Sequence, residues 1–303
     1  MRTAYLGTSE FAATVLRRLA KSPHRPALVV TPPDRPRGRG RKLVSPPAAD
    51  AARDLGLELY QTADVNSPES IEAIRDRDPR AIAVCAFGQL IKEPLLSDHL
   101  MLNVHPSLVP RWRGAAPIER ALMAGDAKTG MTVMRVTAGL DSGPVALAEE
   151  VPITDDDDYA SLSAKLAELG GDLLVRALDA LEDGRLEFTE QDESTATYAE
   201  KIAPTERHLD PARPALELER VVRALAPQVG THLELGDGGR LMVRGAVAVR
   251  GGPPAGEVEA KAGELLLGTS DGALRLDVVQ PPGGRPMSAA EFLRGHPPPS
   301  RAR

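Results

Sequence analysis

Three residues of this sequence, Asn103, His105 and Asp141, have side chains whose types and spacing suit chemistry at a carbonyl group: an amide, an imidazole and a carboxylate. Asn103 and His105 follow Leu102 at the end of an apolar run, and side chains two residues apart on a β-strand point to the same face. Asp141 lies in the Gly-rich stretch 138–144. Such a set can polarise a carbonyl, stabilise a tetrahedral oxyanion and move a proton. Because the set contains no obvious covalent nucleophile, direct attack by a substrate's own nucleophile on a bound acyl donor fits it best.

Motifs for other kinds of chemistry are absent from the sequence. The remaining histidines form neither an H-E-x-x-H pattern nor a pair with cysteines, so no metal site is predicted. The sequence has no G-x-S-x-G elbow, which argues against a serine hydrolase. The turn after the first strand lacks both the dinucleotide and the P-loop glycine patterns. Cys85 lies within an apolar strand and is interpreted as a small core residue, not as a nucleophile.

Composition indicates the general class of protein. The chain has 303 residues, is 42% hydrophobic and carries a net charge of −6, so it can build a proper core and has no general basic footprint for nucleic acid. The single cysteine allows no internal disulfide, which fits a reducing compartment. No apolar run approaches the ~18 residues of a membrane span, and the first strand leaves no room for a signal peptide. We expect a cytoplasmic monomer.

The first 183 residues are predicted to form an α/β catalytic domain. Short apolar segments without alternation are typical of buried parallel strands, and they are separated by segments with helical spacing. This order predicts an open parallel, Rossmann-like sheet with helices on both faces. The predicted strands are 3–6, 27–31, 81–86, 101–104, 131–136 and 145–151.

The second half of the chain has a different pattern. Residues 184–210 lack strong periodicity and are predicted to be a linker. Residues 211–296 contain short strands and Gly-rich turns, which predicts a smaller β-barrel-like domain of the oligonucleotide-binding (OB) type. The last residues, 297–303, are predicted to be a disordered tail.

A cluster of positive charge interrupts the first domain. Residues 32–47 are rich in proline and glycine and hold five cations within eight residues: Arg35, Arg37, Arg39, Arg41 and Lys42. A charge run of this kind is either a solvated loop or a mobile arm for a phosphate backbone. The run leaves the carboxyl end of the second strand, which is the edge where open α/β sheets place ligands.

Several motifs together resemble those of the folate-dependent formyltransferases, and within them the branch that acts on methionyl-tRNA. The pattern Asn-x-His…Asp is surrounded by His-Pro-Ser-Leu-Val-Pro-Arg-Trp-Arg-Gly-Ala-Ala-Pro-Ile at 105–118. Gly-Thr-Ser-Glu-Phe-Ala at 7–12, Gly-Leu-Asp-Ser-Gly at 139–143 and Thr-Tyr-Ala-Glu-Lys-Ile at 197–202 agree with it. The resemblance is specific through residue 202 and weaker afterwards, where an expected Trp-Pro motif is missing near 226–230.

The resemblance implies 10-formyltetrahydrofolate as formyl donor and methionyl initiator tRNA as acceptor, with no metal. It assigns Asn103 and His105 to the formyl oxygen and oxyanion, and Asp141 to orienting His105 and relaying the proton of the amine. It also implies a basic loop at the acceptor stem, made here by the five cations named above, and places tRNA binding in the C-terminal domain. The residues implied for folate are Ser107, Leu108, Val109, Pro110, Phe87, Gly88, Leu90, Ile91, Thr137, Gly139 and Leu140.

Four other functions remain open from the sequence. A formyltransferase for a nucleotide-sugar or another small amine shares the three catalytic residues. A glycinamide ribonucleotide formyltransferase is expected to lack the second domain, and a folate-dependent hydrolase needs no RNA arm. A noncatalytic RNA-binding module is the alternative from a different class. The basic arm and the appended domain favour tRNA, and the net charge of −6 argues against a simple RNA binder.

Overall fold

The computed structural model describes residues 1–37, 40–236 and 238–302. The chain divides into two compact units. Unit 1 comprises Met1–Pro117, Lys128–Pro152 and Ser163–Ala199, and unit 2 comprises Ile118–Ala127, Ile153–Leu162 and the chain from Glu200 onward. Within the described ranges, no helix is long and apolar enough to cross a membrane.

The first two thirds of the chain alternate between strands and helices, as the sequence predicts. The elements, in chain order, are β1 (Thr3–Gly7), α1 (Glu10–Ala20), β2 (Pro26–Thr31), β3 (Arg35–Arg37), β4 (Lys42–Val44), α2 (Pro47–Asp54), β5 (Leu59–Gln61), α3 (Pro68–Arg75), β6 (Ala81–Cys85), α4 (Leu95–Asp98), β7 (Met101–His105), β8 (Arg113–Gly114), α5 (Pro117–Ala124), β9 (Lys128–Arg135), β10 (Val145–Pro152), α6 (Tyr159–Glu182) and β11 (Tyr198–Ala199).

Seven of these strands form the sheet of unit 1, in the order β10-β9-β7-β6-β1-β2-β5. The five strands from β7 to β5 are parallel to one another, which confirms the predicted α/β class. The remaining two, β9 and β10, form an antiparallel hairpin, and β9 is antiparallel to β7. A short hairpin connection can join only antiparallel strands, so this edge departs from a purely parallel sheet.

Buried apolar side chains on both faces of the sheet hold unit 1 together. Helix α1 begins at the cap Ser9, whose hydroxyl accepts the amide of Ala12, and it buries Val15, Leu16 and Leu19 completely. These positions recur at helical spacing, so one face of α1 packs into the core. Aliphatic residues dominate this core because the chain is only 3% aromatic.

Cys85, at the end of β6, lies in this core and is fully buried. Burial raises the pKa of the Cys85 thiol to about 12, an effect that a hydrogen bond with Tyr5 only partly offsets. The thiolate is the reactive form of cysteine, so this side chain is a small apolar packing group.

We expect Cys85 of the native protein to resist iodoacetamide at pH 8, because the thiol is both buried and un-ionised. The extent of alkylation can be measured by intact mass spectrometry, with the protein unfolded in urea as the reactive control. Alkylation of the native protein at the rate of the unfolded chain would contradict this account.

Unit 2 contains an antiparallel sheet of six strands and two further helices. Its elements are α7 (Ala215–Leu225), β12 (Thr231–Glu234), β13 (Arg240–Val249), β14 (Val258–Lys261), β15 (Glu264–Gly268), β16 (Ala273–Gln280), β17 (Met287–Ser288) and α8 (Ala289–Gly295). The strand order is β12-β13-β16-β15-β14, and β17 pairs with β16. This sheet confirms the β-rich second domain, and its buried face packs against α7 and α8.

The end of the chain departs from the disordered tail predicted for 297–303. Ala302 bridges to Leu235, next to β12, and Arg301 bridges to Glu257, next to β14. The amide of Val258 donates to the carbonyl of Ser300 at 3.0 Å. Strands β12 and β14 are the two edges of the sheet. Unpaired edge groups of a sheet are open to further pairing, and here the tail pairs beside the end of β12 and at the start of β14.

The structure also divides the predicted linker, residues 184–210. Residues 184–199 belong to unit 1 and residues 200–210 to unit 2. Long-range hydrogen bonds are the reason: Thr189 pairs with Val145, and β11 pairs with β8. In unit 2, Arg120 forms an ion pair with Glu206 at 2.5 Å. The absence of periodicity in this segment therefore reflects irregular backbone that is hydrogen-bonded to distant residues.

Candidate active site

The structure brings Asn103, His105 and Asp141 together. Asn103 and His105 lie on β7 and share one face of the strand. The Asn103 Nδ2 donates to Asp141 Oδ1 at 3.1 Å, and His105 Nδ1 lies 3.7 Å from Asp141 Oδ2. The second oxygen, Oδ2, also accepts the backbone amide of Gly114 at 2.9 Å. One carboxylate therefore gathers the amide, the imidazole and a backbone donor.

The imidazole of His105 is buried, and its surroundings determine its tautomer. His105 Nε2 lies 2.9 Å from the carbonyl oxygen of Trp112. A carbonyl oxygen can only accept, so Nε2 carries the hydrogen and Nδ1 faces Asp141 with its lone pair in the neutral ring. If Nδ1 takes up a proton, the new N–H faces a carboxylate. This arrangement suits a group that accepts a proton during the reaction.

The carbonyl of Trp112 is itself held in place by residues far away in sequence. The amide of Trp112 donates to Thr197 Oγ1 at 2.9 Å, and the amide of Arg113 donates to the carbonyl of Thr197 at 2.9 Å. Trp112 has a positive φ of 62°, which is rare for a bulky residue and needs support from its surroundings. Residues 197–199 provide that support.

Among the residues whose burial the structure describes, Arg113 has the largest fully buried side chain, with 1% of it exposed. Its guanidinium donates to the carboxylate of Glu193 at 2.7 and 2.8 Å and to Gln191 Oε1 at 2.8 and 3.0 Å. The bond to Glu193 raises the pKa of Arg113 above its usual value, so the guanidinium stays charged. Our sequence analysis did not identify Trp112, Arg113, Gly114, Gln191 or Thr197 as site residues. Trp112, Arg113, Gly114 and Thr197 lie within the family motifs at 105–118 and 197–202, which could have identified them. No sequence motif includes Gln191.

Ser107, Leu108, Val109 and Pro110 lie in the loop after β7. Ser107 is fully buried, and its hydroxyl donates to the carbonyl of Arg111 at 2.7 Å. Its own carbonyl accepts Thr132 Oγ1 at 2.7 Å. Leu108, Val109 and Pro110 are partly exposed. The hydroxyl of Ser107 thus stabilises the loop, while the next three residues are accessible from solvent.

The segment after β6 contains another predicted group of folate residues. Phe87 and Ile91 are buried in the apolar core, Gly88 is exposed with a φ of 78°, and Leu90 is 68% exposed. Thr8 Oγ1 donates to the carbonyl of Phe87 at 2.7 Å, which joins this segment to the turn after β1. Of these four residues, Leu90 presents the largest apolar surface to solvent.

Thr137, Gly139 and Leu140 lie in the loop between β9 and β10, which also carries Asp141. The loop begins next to β7, where the amide of Val136 donates to the carbonyl of Met101 at 2.9 Å. Gly143 is required for its closure, because a side chain there would collide with the carbonyl of Arg135. Leu140 is 62% exposed, beside the carboxylate-bearing residue. The proposed contact of these residues with folate stays a prediction.

The basic segment is a β-ribbon in this structure. Strands β3 and β4 pair antiparallel, with Arg35 opposite Val44 and Arg37 opposite Lys42. Arg35, Arg41 and Lys42 are exposed, and Arg41 has a φ of 46°. Arg39 lies outside the described residues. Residues 35–37 and 42–44 therefore have regular structure. Contact of this ribbon with a phosphate backbone stays a prediction.

A small polar network holds the base of this ribbon. Gln61 Nε2 donates to Asp34 Oδ1 at 2.9 Å and to the carbonyl of Pro32 at 3.1 Å. The bond from Gln61 is the main reason why the pKa of the Asp34 carboxyl is lowered. Arg53 donates to Gln61 Oε1 at 3.1 Å. This network ties the ribbon to β5 and α2.

In the part of the chain that the structure describes, no group of three or more His, Cys, Asp and Glu residues could hold a metal ion. The polar atoms assembled at the site are an amide, an imidazole, a carboxylate and backbone groups. Together they can bind a carbonyl oxygen that develops negative charge and can accept a proton.

Gly114 is essential to this geometry. It has a φ of 114°, and a Cβ at this position would lie 2.9 Å from the carbonyl oxygen of Ala199. We expect Gly114→Ala to lower the free energy of unfolding by about 1–3 kcal/mol, because the strained backbone must move. Urea unfolding of the purified protein measures this change. Gly40→Ala, where no neighbouring atom lies within 4 Å, should leave the stability unchanged. Equal stabilities of the two variants would be evidence against strain at position 114.

Comparison with known proteins identifies related sequences over the whole chain. The sequence profile of the family "Formyl transferase" matches residues 1–178, and that of "Formyl transferase, C-terminal domain" matches residues 201–297. The Methionyl-tRNA formyltransferase of Methylococcus capsulatus is 42% identical over 300 residues, covering 98% of this chain and 97% of its own. The Methionyl-tRNA formyltransferase of Caulobacter vibrioides is 41% identical over 308 residues, with the same coverage.

Solved structures show the same fold at lower sequence identity. HypX from Aquifex aeolicus in complex with tetrahydrofolic acid aligns with a TM-score of 0.65 at 19% identity, covering 97% of this chain and 47% of its own. The sugar 3N-formyl transferase WlaRD, in the presence of dTDP and 5-N-formyl-THF, aligns with a TM-score of 0.67 at 14% identity. The alignment covers 91% of this chain and 96% of WlaRD. Glycinamide ribonucleotide transformylase 1 from Symbiobacterium toebii aligns with a TM-score of 0.51 at 23% identity. This alignment covers 63% of this chain and 94% of the transformylase.

Proposed function

The chain belongs to the formyl transferase family, as a methionyl-tRNA formyltransferase, and we propose that it transfers the formyl group of 10-formyltetrahydrofolate to the α-amine of methionyl initiator tRNA. The amine attacks the formyl carbon directly and forms a tetrahedral intermediate, which collapses by breaking the bond between that carbon and N10 of the folate. The amine loses a proton, N10 gains one, and tetrahydrofolate leaves. The observation that carries this proposal is the meeting of Asn103 and His105 at the Asp141 carboxylate. Identity of about 40% across both domains supports the choice of acceptor.

Asn103 is the proposed donor to the oxyanion. One hydrogen of its Nδ2 is engaged by Asp141 Oδ1, which leaves the second hydrogen for the formyl oxygen. A preorganised donor of this kind stabilises charge as it develops in the tetrahedral intermediate. Asp141 therefore orients the amide as well as the imidazole.

His105 is the proposed proton acceptor. Its Nδ1 can take the proton that the attacking amine loses, directly or through water, and the resulting imidazolium faces Asp141. An α-amine has a pKa of about 7.7–8.0 in peptides, so roughly a tenth to a sixth of it is neutral at pH 7. A strong base is not needed before the attack, and His105 acts as the amine becomes acidic in the intermediate.

The folate donor is proposed to bind beside this group. Leu108, Val109 and Pro110 are the accessible residues of the loop after β7, and Leu90 and Leu140 expose apolar side chains on the loops that follow β6 and β9. Apolar walls around a few polar groups are typical of a small-molecule site. Phe87 and Ile91 support these walls from the core. When bound, the donor supplies the activated formyl group.

The basic ribbon is the proposed contact with tRNA. Arg35, Arg41 and Lys42 are exposed on a two-stranded element. The protein as a whole carries −6, so binding to a phosphate backbone depends on locally placed cations. The C-terminal domain is proposed to add further tRNA contacts. With charged initiator tRNA as the acceptor, we propose that the reaction takes place in the cytoplasm, and we expect the enzyme to act as a monomer.

The alternatives differ in their acceptors. The structure of the sugar formyltransferase WlaRD aligns with 91% of this chain, including most of the second domain. The presence of a second domain therefore does not by itself favour tRNA over a sugar as the acceptor. The glycinamide ribonucleotide enzyme covers only 63% of this chain. A hydrolase would release formate without an acceptor, and an RNA-binding module would not use folate at all.

The deciding experiment offers the enzyme 10-formyltetrahydrofolate together with methionyl initiator tRNA, uncharged tRNA or free methionine. We expect formylated product only from the charged tRNA. Turnover of the donor without formylated tRNA would redirect the assignment to a small amine or to hydrolysis. Absence of any turnover would favour the binding module.

We expect His105→Ala to lower the rate of transfer about 10²–10⁴-fold, because proton transfer is lost. Asn103→Ala should cost on the order of 10²–10³-fold, as for an oxyanion donor. Single-turnover kinetics measures both rates, and filter binding measures the affinity for tRNA. A large loss of tRNA affinity in both variants would contradict the assigned roles.

The proposed role of the ribbon predicts how tRNA binding depends on salt concentration. Replacing Arg41 and Lys42 together by Gln should weaken tRNA binding and flatten its salt dependence by about 1.4–1.8 in slope, since each lost phosphate contact removes roughly 0.7–0.9. The control is Arg17→Gln with Lys21→Gln, which removes two exposed charges at α1. If both double variants keep the wild-type slope, the ribbon does not contact tRNA.

A further inference from the structure

Gln191 connects Arg113, on strand β8, to the loop that carries Asp141. Its Oε1 accepts from Arg113 Nε at 3.0 Å and from Arg113 Nη2 at 2.8 Å. Its Nε2 donates to the carbonyl of Asp141 at 3.0 Å and to the carbonyl of Gly143 at 2.6 Å. A guanidinium can only donate and a carbonyl can only accept, so chemistry determines the orientation of this amide. All four of its hydrogen-bonding positions are used.

The partner on one side of Gln191 is rigid. Arg113 is buried, it is held by Glu193 as well as by Gln191, and its backbone belongs to β8, which pairs with β11. The following residue, Gly114, donates its amide to the Asp141 carboxylate. Gln191 is therefore anchored on the same short strand that contacts Asp141 directly.

The partner on the other side needs support. Asp141 has a positive φ of 46° and lies between Gly139 and Gly143 in a loop rich in glycine. Glycine adds conformational freedom, and a non-glycine residue in this region persists only when its surroundings hold it. The two hydrogen bonds from Gln191 fall on the carbonyls of Asp141 and Gly143, so they hold the part of the loop that carries the carboxylate.

We infer that Gln191 is a positioning residue for the transfer reaction: through Arg113 and the Asp141 loop it aligns the Asp141 carboxylate with Asn103 and His105. Gln191 lies between the segments matched by the two family profiles, 1–178 and 201–297, and in the predicted linker. The stretch that joins the two matched segments thus completes the catalytic unit. This inference rests on the proposed function for its kinetic test only.

The decisive variant is Gln191→Glu. It retains an oxygen for Arg113 and replaces the Nε2 donor by a second oxygen, which faces the carbonyls of Asp141 and Gly143. We expect kcat to fall about 10–100-fold, because a misplacement of about 1 Å can cost up to about 10²-fold, while KM for tRNA stays unchanged. Gln191→Met removes both sets of bonds and should lose at least as much. The control is Glu190→Gln, the reverse substitution at the preceding exposed residue, which should keep the wild-type kcat.

A double-mutant cycle with Asp141→Asn separates positioning from general damage. If Gln191 acts through Asp141, Gln191→Glu should cost much less in the Asp141→Asn background than in the wild type. Hydrogen exchange at the Gly114 amide is a second readout that needs no substrate, and it should speed up in Gln191→Glu because the amide loses its aligned acceptor. A wild-type kcat in Gln191→Glu, losses that simply add, or unchanged exchange at Gly114 would overturn the inference. Failure of the wild type to formylate tRNA would count against the proposed function, and the exchange experiment would still decide the role of Gln191.

Discussion

The carboxylate of Asp141 is the point at which three separate parts of the chain meet. It accepts the Asn103 amide from β7 and the Gly114 amide from β8, and it faces the imidazole of His105. A carboxylate can accept several hydrogen bonds at once, and each bond restricts the direction of the others. The backbone of Asp141, Trp112 and Gly114 adopts positive φ to make this possible. The local structure around the site is therefore shaped by the needs of one charged group.

The need to hold these groups around the Asp141 carboxylate explains why residues 184–199 pack with unit 1. Thr197 holds the Trp112 backbone, Ala199 pairs with Gly114, and Gln191 holds the carbonyls of the Asp141 loop. These contacts are made by backbone groups, by the hydroxyl of Thr197 and by the fully satisfied amide of Gln191, so the segment contributes order more than apolar burial. Loops rich in glycine and proline acquire a single conformation here because many hydrogen bonds act on them together.

The structure of the remaining parts of the chain follows simpler rules. The ribbon β3–β4 projects cations from a base fixed by Asp34 and Gln61, which allows local positive charge on an acidic protein. Unit 2 buries its own apolar cluster, and its tail pairs next to both edge strands of the sheet. Sheet edges with free hydrogen-bonding groups are open to unwanted pairing, and the tail occupies the positions next to these two edges.

The sequence by itself determined the alternation of strands and helices, the β-rich second half and the shared face of Asn103 and His105. These features follow from local periodicity, which reports burial and the side to which a side chain points. The tertiary structure alone decided that β9 and β10 run antiparallel, that residues 184–199 belong to the catalytic unit and that residues 300–302 join the sheet. It alone showed the hydrogen bonds that the Trp112 carbonyl, the Gly114 amide and Gln191 make at the site. These depend on hydrogen bonds between residues up to 85 positions apart. Such bonds leave no periodic trace in a sequence, because most of them join one side chain to a distant backbone group, and every residue has backbone groups.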